Sequence, residues 1–418
     1  MNLEKKRWII LTASCIINLC IGSLYAWSVF SGPMAEYFCK LYGLTGEVAI
    51  KAANLAIVFT VANSVGPITM ITGGKINDSI GPKGAIISGG LLFGGGFFLS
   101  GFVDSIAMLV VVYGLGCGLG MGLVYSATVN NSVKLFPDKR GLSGGFTTAT
   151  YGLSSVLIPP IANFIIREYG VQQAFRTLGI VFILVILLCS LFIEKAPHDF
   201  VPSGMVVNKM RLDFYQQVDK NWREMLRDKT FYMMFFMLMF GAFSGLMIIS
   251  QASPMAQMMV GMKPAKAAMA VSILAFFNAF GRIAAGYLSD KIGRIQVIRL
   301  AFLVSVAGLF LLMITKEGNT GFFMTGISIT GICFGAFLGI FPGFTADRFG
   351  TKNNSVNYGV MFIGFALAGL FGPMLAGKMV IATQSYQIAF YAAAALAVLG
   401  LVLTFAYSKA TGEKSKGA

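Results

Sequence analysis

The chain has 418 residues, 56% of them hydrophobic and only 12% charged, and its mean hydropathy is +0.76. Soluble domains carry about twice that charged fraction, so a soluble enzyme or binding module is excluded and a polytopic membrane protein is implied. A net charge of +15 suggests a nucleic-acid partner only if the cations cluster on one folded surface, and here they are spread between apolar stretches.

A helix needs about 20 apolar residues to cross the hydrocarbon core of a bilayer. Twelve stretches qualify: 8–32, 47–72, 84–103, 106–133, 141–166, 173–193, 231–259, 265–287, 295–315, 319–342, 356–380 and 385–408. No alternating pattern of about ten residues suggests a β-barrel, so the expected fold class is an all-α membrane protein with twelve transmembrane helices. Glu4-Lys5-Lys6-Arg7 precede the first stretch, which is too long for the apolar core of a signal peptide and has no A-x-A site after it. Thr12-Ala13-Ser14-Cys15 comes too early for a lipoprotein cleavage site, so the first stretch is read as an uncleaved span.

Most of the 32 Lys and Arg residues fall in the segments that lie on one side of the membrane if both termini are cytoplasmic. The positive-inside rule therefore places both termini in the cytoplasm. The basicity is a topology signal, and no nucleic-acid partner is implied. Six spans precede the long polar segment 194–229 and six follow it, giving an N-terminal bundle 1–193, a cytoplasmic central loop and a C-terminal bundle 230–418. Gln217–Asp228 places Trp222, Met225 and Leu226 on one face among Lys and Arg. Two readings fit: an amphipathic helix on the membrane surface, or a solvated linker with a local helix. The single histidine, His198, lies in this loop.

The two halves repeat. After the second span comes Gly74-Lys75-Ile76-Asn77-Asp78-Ser79-Ile80-Gly81, followed by Pro82-Lys83. After the eighth comes Gly286-Tyr287-Leu288-Ser289-Asp290-Lys291-Ile292-Gly293, followed by Arg294. Glycines allow a tight turn, and the Asp is placed to cap the next helix. Two copies at equivalent places in a six-plus-six pattern mark an internal duplication. Gly114, Gly116, Gly118, Gly120 and Gly122 in the fourth span read as a close helix–helix contact. Pro159-Pro160 and Gly372-Pro373 are corresponding interruptions of the fifth and eleventh spans. The six cysteines (Cys15, Cys20, Cys39, Cys117, Cys189 and Cys333) show no metal spacing and mostly lie within spans, as small buried apolar residues do; neither a metal nor another cofactor is expected.

The repeated loop resembles the signature of the major facilitator superfamily, twelve-helix secondary transporters built from two pseudo-symmetric six-helix bundles. Gly22-Ser23-Leu24-Tyr25-Ala26-Trp27-Ser28, Phe136-Pro137-Asp138-Lys139-Arg140-Gly141-Leu142 and Asn357-Tyr358-Gly359 narrow the resemblance to the branch holding oxalate/formate antiporters and monocarboxylate transporters. It implies alternating access by rocking of two halves, in a multi-pass protein of the inner (plasma) membrane, acting as a monomer.

Among charged residues the spans give one sharp result. No Asp, Glu or His lies in the interior of a predicted span, and Lys51, Arg176, Arg299 and Lys378 sit near enough to span ends to snorkel. Arg282 alone is deep, with apolar residues on both sides. A cation at that depth costs about 3 kcal/mol or more and by default marks a substrate or ion path; the competing reading is an arginine that snorkels along lipid. A guanidinium grips a carboxylate through two parallel hydrogen bonds, so Arg282 is expected to bind the substrate's negative charge. Asn278, one turn away on the same helix face, is placed to hold the guanidinium or a substrate hydroxyl. The resemblance adds Tyr25, Tyr125, Tyr151, Phe334 and Phe362 as substrate-cavity residues; ordinary packing is the alternative for each. Oxalate-transporting relatives carry a second cation, a lysine, where this chain has Phe365, and a tyrosine where it has Leu338. Monocarboxylate transporters often carry Asp at the place of Asn278.

One cation matches one negative charge, so the expected cargo is a small monocarboxylate such as lactate or pyruvate, moved together with a proton. Exchange of small carboxylates is the alternative. Asp78 and Asp290, with basic residues such as Arg140 and Arg348, are expected to form ion pairs that gate the cytoplasmic side; simple topology anchoring is the other reading. No Ser-His or paired-carboxylate constellation lies within the spans, so enzymatic chemistry is not expected.

Overall fold

A computed structural model describes residues 3–45, 50, 55–197, 200–202 and 219–412. Twelve of its helices are long and apolar enough to cross a membrane: Leu3–Tyr42, Ile57–Ser79, Pro82–Ser100, Ile106–Leu135, Arg140–Tyr169, Val171–Ser190, Lys229–Val260, Met269–Ile292, Arg294–Met313, Thr320–Phe349, Asn354–Thr383 and Gln387–Thr411. They are numbered here as spans one to twelve. No strand occurs among the described residues. His198, Lys51, Gln217 and Val218 lie outside them.

Two spans differ in form from expectation. Span one runs about ten residues past its predicted end and contains a tight 3-10 turn at Gly22–Ala26. Gly43, left-handed at φ 66°, finally stops it. Span four is wound as a π-helix over Val110–Cys117, a form that often accompanies functional sites. Pro159, Pro160 and Pro373, by contrast, sit inside continuous helices. The central loop holds one short helix, Trp222–Arg227, closed at its start by a reciprocal Asn221/Glu224 capping box. It ends at Asp228, whose side chain turns to accept from the Thr230 amide and starts span seven. The amphipathic segment is thus cut to under two turns, with Met225 buried and Trp222 exposed.

Two compact units emerge. One comprises Met1–Leu135, Thr150–Ser203 and Asn353–Gly359; the other comprises Phe136–Ala149, Gly204–Lys352 and Val360–Ala418. Within the first, span one packs on four and six, two on three and four, and three on four and six; within the second, the same pairs recur with six added to each number. The duplication read from the loops is therefore a duplication of packing. The first unit's core is aromatic, with Phe30 stacked on Phe175 at 4.4 Å and Phe97 edge-on to Phe182 at 5.2 Å. In the second, Phe302 lies 4.7 Å from Phe337 and Phe344 5.3 Å from Tyr407.

Span four shows why its glycines are needed. A β-carbon at Gly118 or Gly122 would overlap span two at Ala62 and Gly66, and one at Gly120 would lie 2.5 Å from the Phe93 nitrogen of span three. The alternate glycines thus serve two neighbours, which is the close contact their density implied. All six cysteines are free.

Candidate functional site: a buried guanidinium and its helix contacts

Span eight begins as a helix at Pro264 and continues to Ile292. In its middle Arg282 is 1% exposed and Asn278 4%, which excludes an arginine snorkelling along lipid. Nε donates to Asn278 Oδ1 at 3.3 Å, and Nη1 donates to the backbone oxygen of Thr148 in span five at 2.5 Å. Both partners are neutral. Among the described residues no carboxylate pairs with this guanidinium.

The burial of Arg282 is made by glycines on its neighbours. A β-carbon at Gly145 of span five would lie 2.5 Å from the Arg282 carbonyl oxygen. In span ten, β-carbons at Gly335 and Gly339 would overlap the carbonyls of Asn278 and Arg282, and Gly331 lies against Leu274. Span eight is thus seated between two glycine faces at the level of its one deep cation. Sequence reading missed these positions, although Gly331, Gly335, Gly339 and Gly343 recur every fourth residue, the small-residue spacing that marks close helix contact.

The other expected site residues form two separate aromatic groups. In the first unit Tyr151 is edge-on to Tyr25 at 5.1 Å and to Tyr125 at 5.3 Å. Gly22, against which a β-carbon would overlap the Tyr151 oxygen, lets the tight turn of span one come this close. In the second unit Phe365 stacks on Phe362 at 4.4 Å and on Phe334 at 6.2 Å. Leu338 is buried in span ten. Two of the near-end cations are held by protein groups: Arg176 donates to the Gly101 oxygen and stacks over Phe102 at 4.0 Å, and Arg299 donates to Thr404 and Gln296.

The loop carboxylates do something other than cap the following helix. Spans three and nine start at Gly81 and Gly293 with no side-chain cap. Both glycines have positive φ, 109° and 95°, and they hold the cap positions themselves, while Asp78 and Asp290 lie inside the last turn of the preceding helices. Asp290 instead accepts from the Gly141 and Leu142 amides at the start of span five, at 2.9 and 2.8 Å. Asp78 accepts from the Val356 amide at the start of span eleven, at 3.3 Å, and from Lys134 at 2.7 Å. In each half the repeated carboxylate satisfies orphan donors at a helix N-terminus, where negative charge is favoured.

The ion pairs follow from this. Arg294 bridges Asp290 at 2.6 Å and Asp347 at 2.9 Å, and Arg140 takes the other oxygen of Asp347 at 2.6 Å. Arg348 donates to Thr230 at 3.0 Å and lies 3.7 Å from Asp228, which Lys220 also contacts at 2.6 Å. Burial pushes the Asp228 carboxyl up, but the hydrogen bonds from Lys220 and Thr230 outweigh it and leave it below its ordinary value. Asp347 escaped the sequence reading. Its signal was a second repeat, Asp138-Lys139-Arg140-Gly141 after span four and Asp347-Arg348-Phe349-Gly350 at the end of span ten.

Twelve spans in two units of matched packing, with Arg282 buried in mid-span and no carboxylate paired with it among the described residues, define a membrane transporter. The chain belongs to the Major Facilitator Superfamily, whose profile matches residues 8–353 and 260–418. It is 30% identical over 370 residues to the uncharacterized MFS-type transporter YhjX of Escherichia coli (strain K12), covering 88% of this chain and 87% of that one. It is 28% identical over 367 residues to the oxalate:formate antiporter of Oxalobacter formigenes, covering 88% and 83%. With human monocarboxylate transporter 12 it shares 24% identity over 406 residues, covering 92% and 77%.

Proposed function

We propose that this protein carries a small monocarboxylate, lactate- or pyruvate-like, across the membrane, with Arg282 pairing the substrate's carboxylate. The observation that carries the reading is a fully buried guanidinium whose two partners, Asn278 Oδ1 and the Thr148 oxygen, bring no charge. A buried cation is poorly tolerated without a counter-charge, and cargo of charge −1 supplies it. The names of the antiporter and the monocarboxylate transporter among the relatives support carboxylate cargo. Phe365, stacked between two other phenylalanines, offers no second cation for a dianion. Asn278 orients the guanidinium; Tyr25, Tyr125, Tyr151, Phe334 and Phe362 provide aromatic surface along the substrate path. Asp78, Asp290, Arg140 and Arg348 hold the helix starts that must be released when the carrier reorients. The carrier works as a monomer in the inner membrane with both termini in the cytoplasm.

In the proton-coupled form, the proton travels with the substrate. One observation favours exchange as a second reading: with no acid beside Arg282, the unloaded site carries +1 and the loaded site is neutral. Moving that charge across the membrane field costs about 2.3 kcal/mol per 100 mV. Uptake of labelled lactate into proteoliposomes tests both. Saturable uptake inhibited by monocarboxylates but not by oxalate supports the cargo assignment, and accumulation driven by a pH gradient alone rules out obligatory exchange. Failure of every monocarboxylate to compete would refute the function.

A further inference from the structure

Arg282 is already engaged inside the protein. A guanidinium has five N–H donors on three nitrogens; Nε serves Asn278 at 3.3 Å and Nη1 serves the Thr148 oxygen at 2.5 Å. The two contacts differ in kind. Asn278 lies one turn away on the same helix and moves with Arg282, whereas Thr148 belongs to span five, so that its bond ties two spans together. Thr148 is itself buried, which leaves its carbonyl no water as an alternative partner for a second lone pair.

Three N–H donors stay free, one on Nη1 and two on Nη2. A carboxylate gripping through Nη1 and Nη2 brings a charged oxygen up beside the Thr148 carbonyl oxygen on the same nitrogen, and two negative acceptors so close repel each other. Substrate therefore meets an internal competitor. We propose that the Thr148 backbone carbonyl stands in for the substrate's carboxylate at Arg282 and gives the guanidinium up when substrate binds. The proposal rests on the reading of Arg282 as the carboxylate's partner. The exchange is downhill because the carboxylate carries a full charge where the carbonyl carries only a dipole, and ionised pairs make the stronger hydrogen bonds. Without cargo, release of Thr148 would leave a buried cation with its donors unmet, which is costly.

Two consequences follow. The tie between spans five and eight is broken by loading, so reorientation of the unloaded carrier is slower than that of the loaded one. The carbonyl also lowers apparent affinity, since binding must displace it. Gly145 sets how close the two spans come, because a β-carbon there would stand 2.5 Å from the Arg282 oxygen and 3.3 Å from the Ile283 Cα. Gly145→Ala forces the spans apart, and a shift well under a side-chain length suffices to break the Thr148 bond.

The test uses the full-length protein and L-lactate. In wild-type proteoliposomes at matched pH on both sides, preloading with unlabelled lactate should raise uptake of label about tenfold, equivalent to about 1.4 kcal/mol on the unloaded return step. Equal rates with and without preloading overturn the proposal. In detergent, Gly145→Ala should bind lactate several-fold more tightly than wild type and, in vesicles, lose most of the preloading effect; unchanged or weaker binding overturns it. The wild-type comparison stands on its own if the variant misfolds. Arg282→Ala serves as the separate control: lactate binding that survives this change refutes the substrate assignment itself, whatever the preloading result.

Discussion

The carboxylate of Asp290 accepts from the backbone N–H of Gly141, 149 residues away in the chain, at 2.9 Å. With the Leu142 amide and Arg294, it gathers three donors on two oxygens. Asparagine offers one acceptor oxygen and no charge, so Asp290→Asn strands at least one donor at the start of span five. The expected cost is about 1–3 kcal/mol, read as a lower unfolding temperature in detergent. Asp78→Asn should act in the same direction, through the Val356 amide and Lys134. An unaltered melting temperature for both variants would show that these contacts only decorate the loops.

Arg282→Ala should remove uptake of labelled lactate while the protein still elutes as a folded species. The lost charge-assisted pair is worth about 3 kcal/mol, or about a hundredfold in affinity. Arg282→Lys keeps the charge and loses the planar fork. It should bind more weakly than wild type and more tightly than Arg282→Ala. Wild-type transport by either variant would contradict the assignment of Arg282.

Much of the fold was legible because the relevant physics is one-dimensional. Apolar length fixes where helices cross, and a duplicated loop fixes that there are two halves. Arg282 was legible for the same reason, since depth in a span can be counted along the chain. What escaped reading was lateral. That Thr148 would present its carbonyl to Arg282 depends on how near span five comes to span eight, which Gly145 sets. The partners of Asp78 and Asp290 were misplaced because each Asp lies inside the last turn of its own helix and a glycine holds the cap position, so their carboxylates meet helix starts distant in sequence.

Gly335→Ala and Gly377→Ala should behave oppositely. The first adds a methyl group that overlaps the Asn278 carbonyl, whereas the second meets nothing within 4 Å. Overpacking at Gly335 should cost about 1–3 kcal/mol, and the pair of melting temperatures provides its own reference. Lactate affinity should fall with Gly335→Ala, because the backbone that carries Asn278 and Arg282 must shift. Equal stability of the two variants would mean that the seat of span eight is loose.

Phe365→Lys introduces a second cation beside Phe362 and Phe334. If net charge sets the choice of cargo, this variant should gain competition by oxalate that wild type lacks, and its affinity for lactate should fall. The measurement is inhibition of labelled lactate binding by a series of mono- and dicarboxylates. A variant that still ignores every dicarboxylate would count against charge matching as the selector.

Asp228 sets the pH behaviour of the segment that enters span seven. Its carboxylate accepts from Lys220 at 2.6 Å and from the Thr230 amide at 2.9 Å, and its folded-state pKa lies below the ordinary 3.8. A carboxyl depressed on folding contributes stability that is fully present above its unfolded pKa and is lost as pH falls through the folded value. Attachment of residues 219–230 should therefore be flat from neutral pH down to about 4.5 and weaken only below the ordinary carboxylate range. Hydrogen exchange of the 219–230 amides, followed against pH in detergent, reads this directly. Asp228→Asn should raise exchange there even at neutral pH, since Lys220 and Arg348 lose their shared anion. A wild-type transition centred near pH 6 would assign the attachment to some other group.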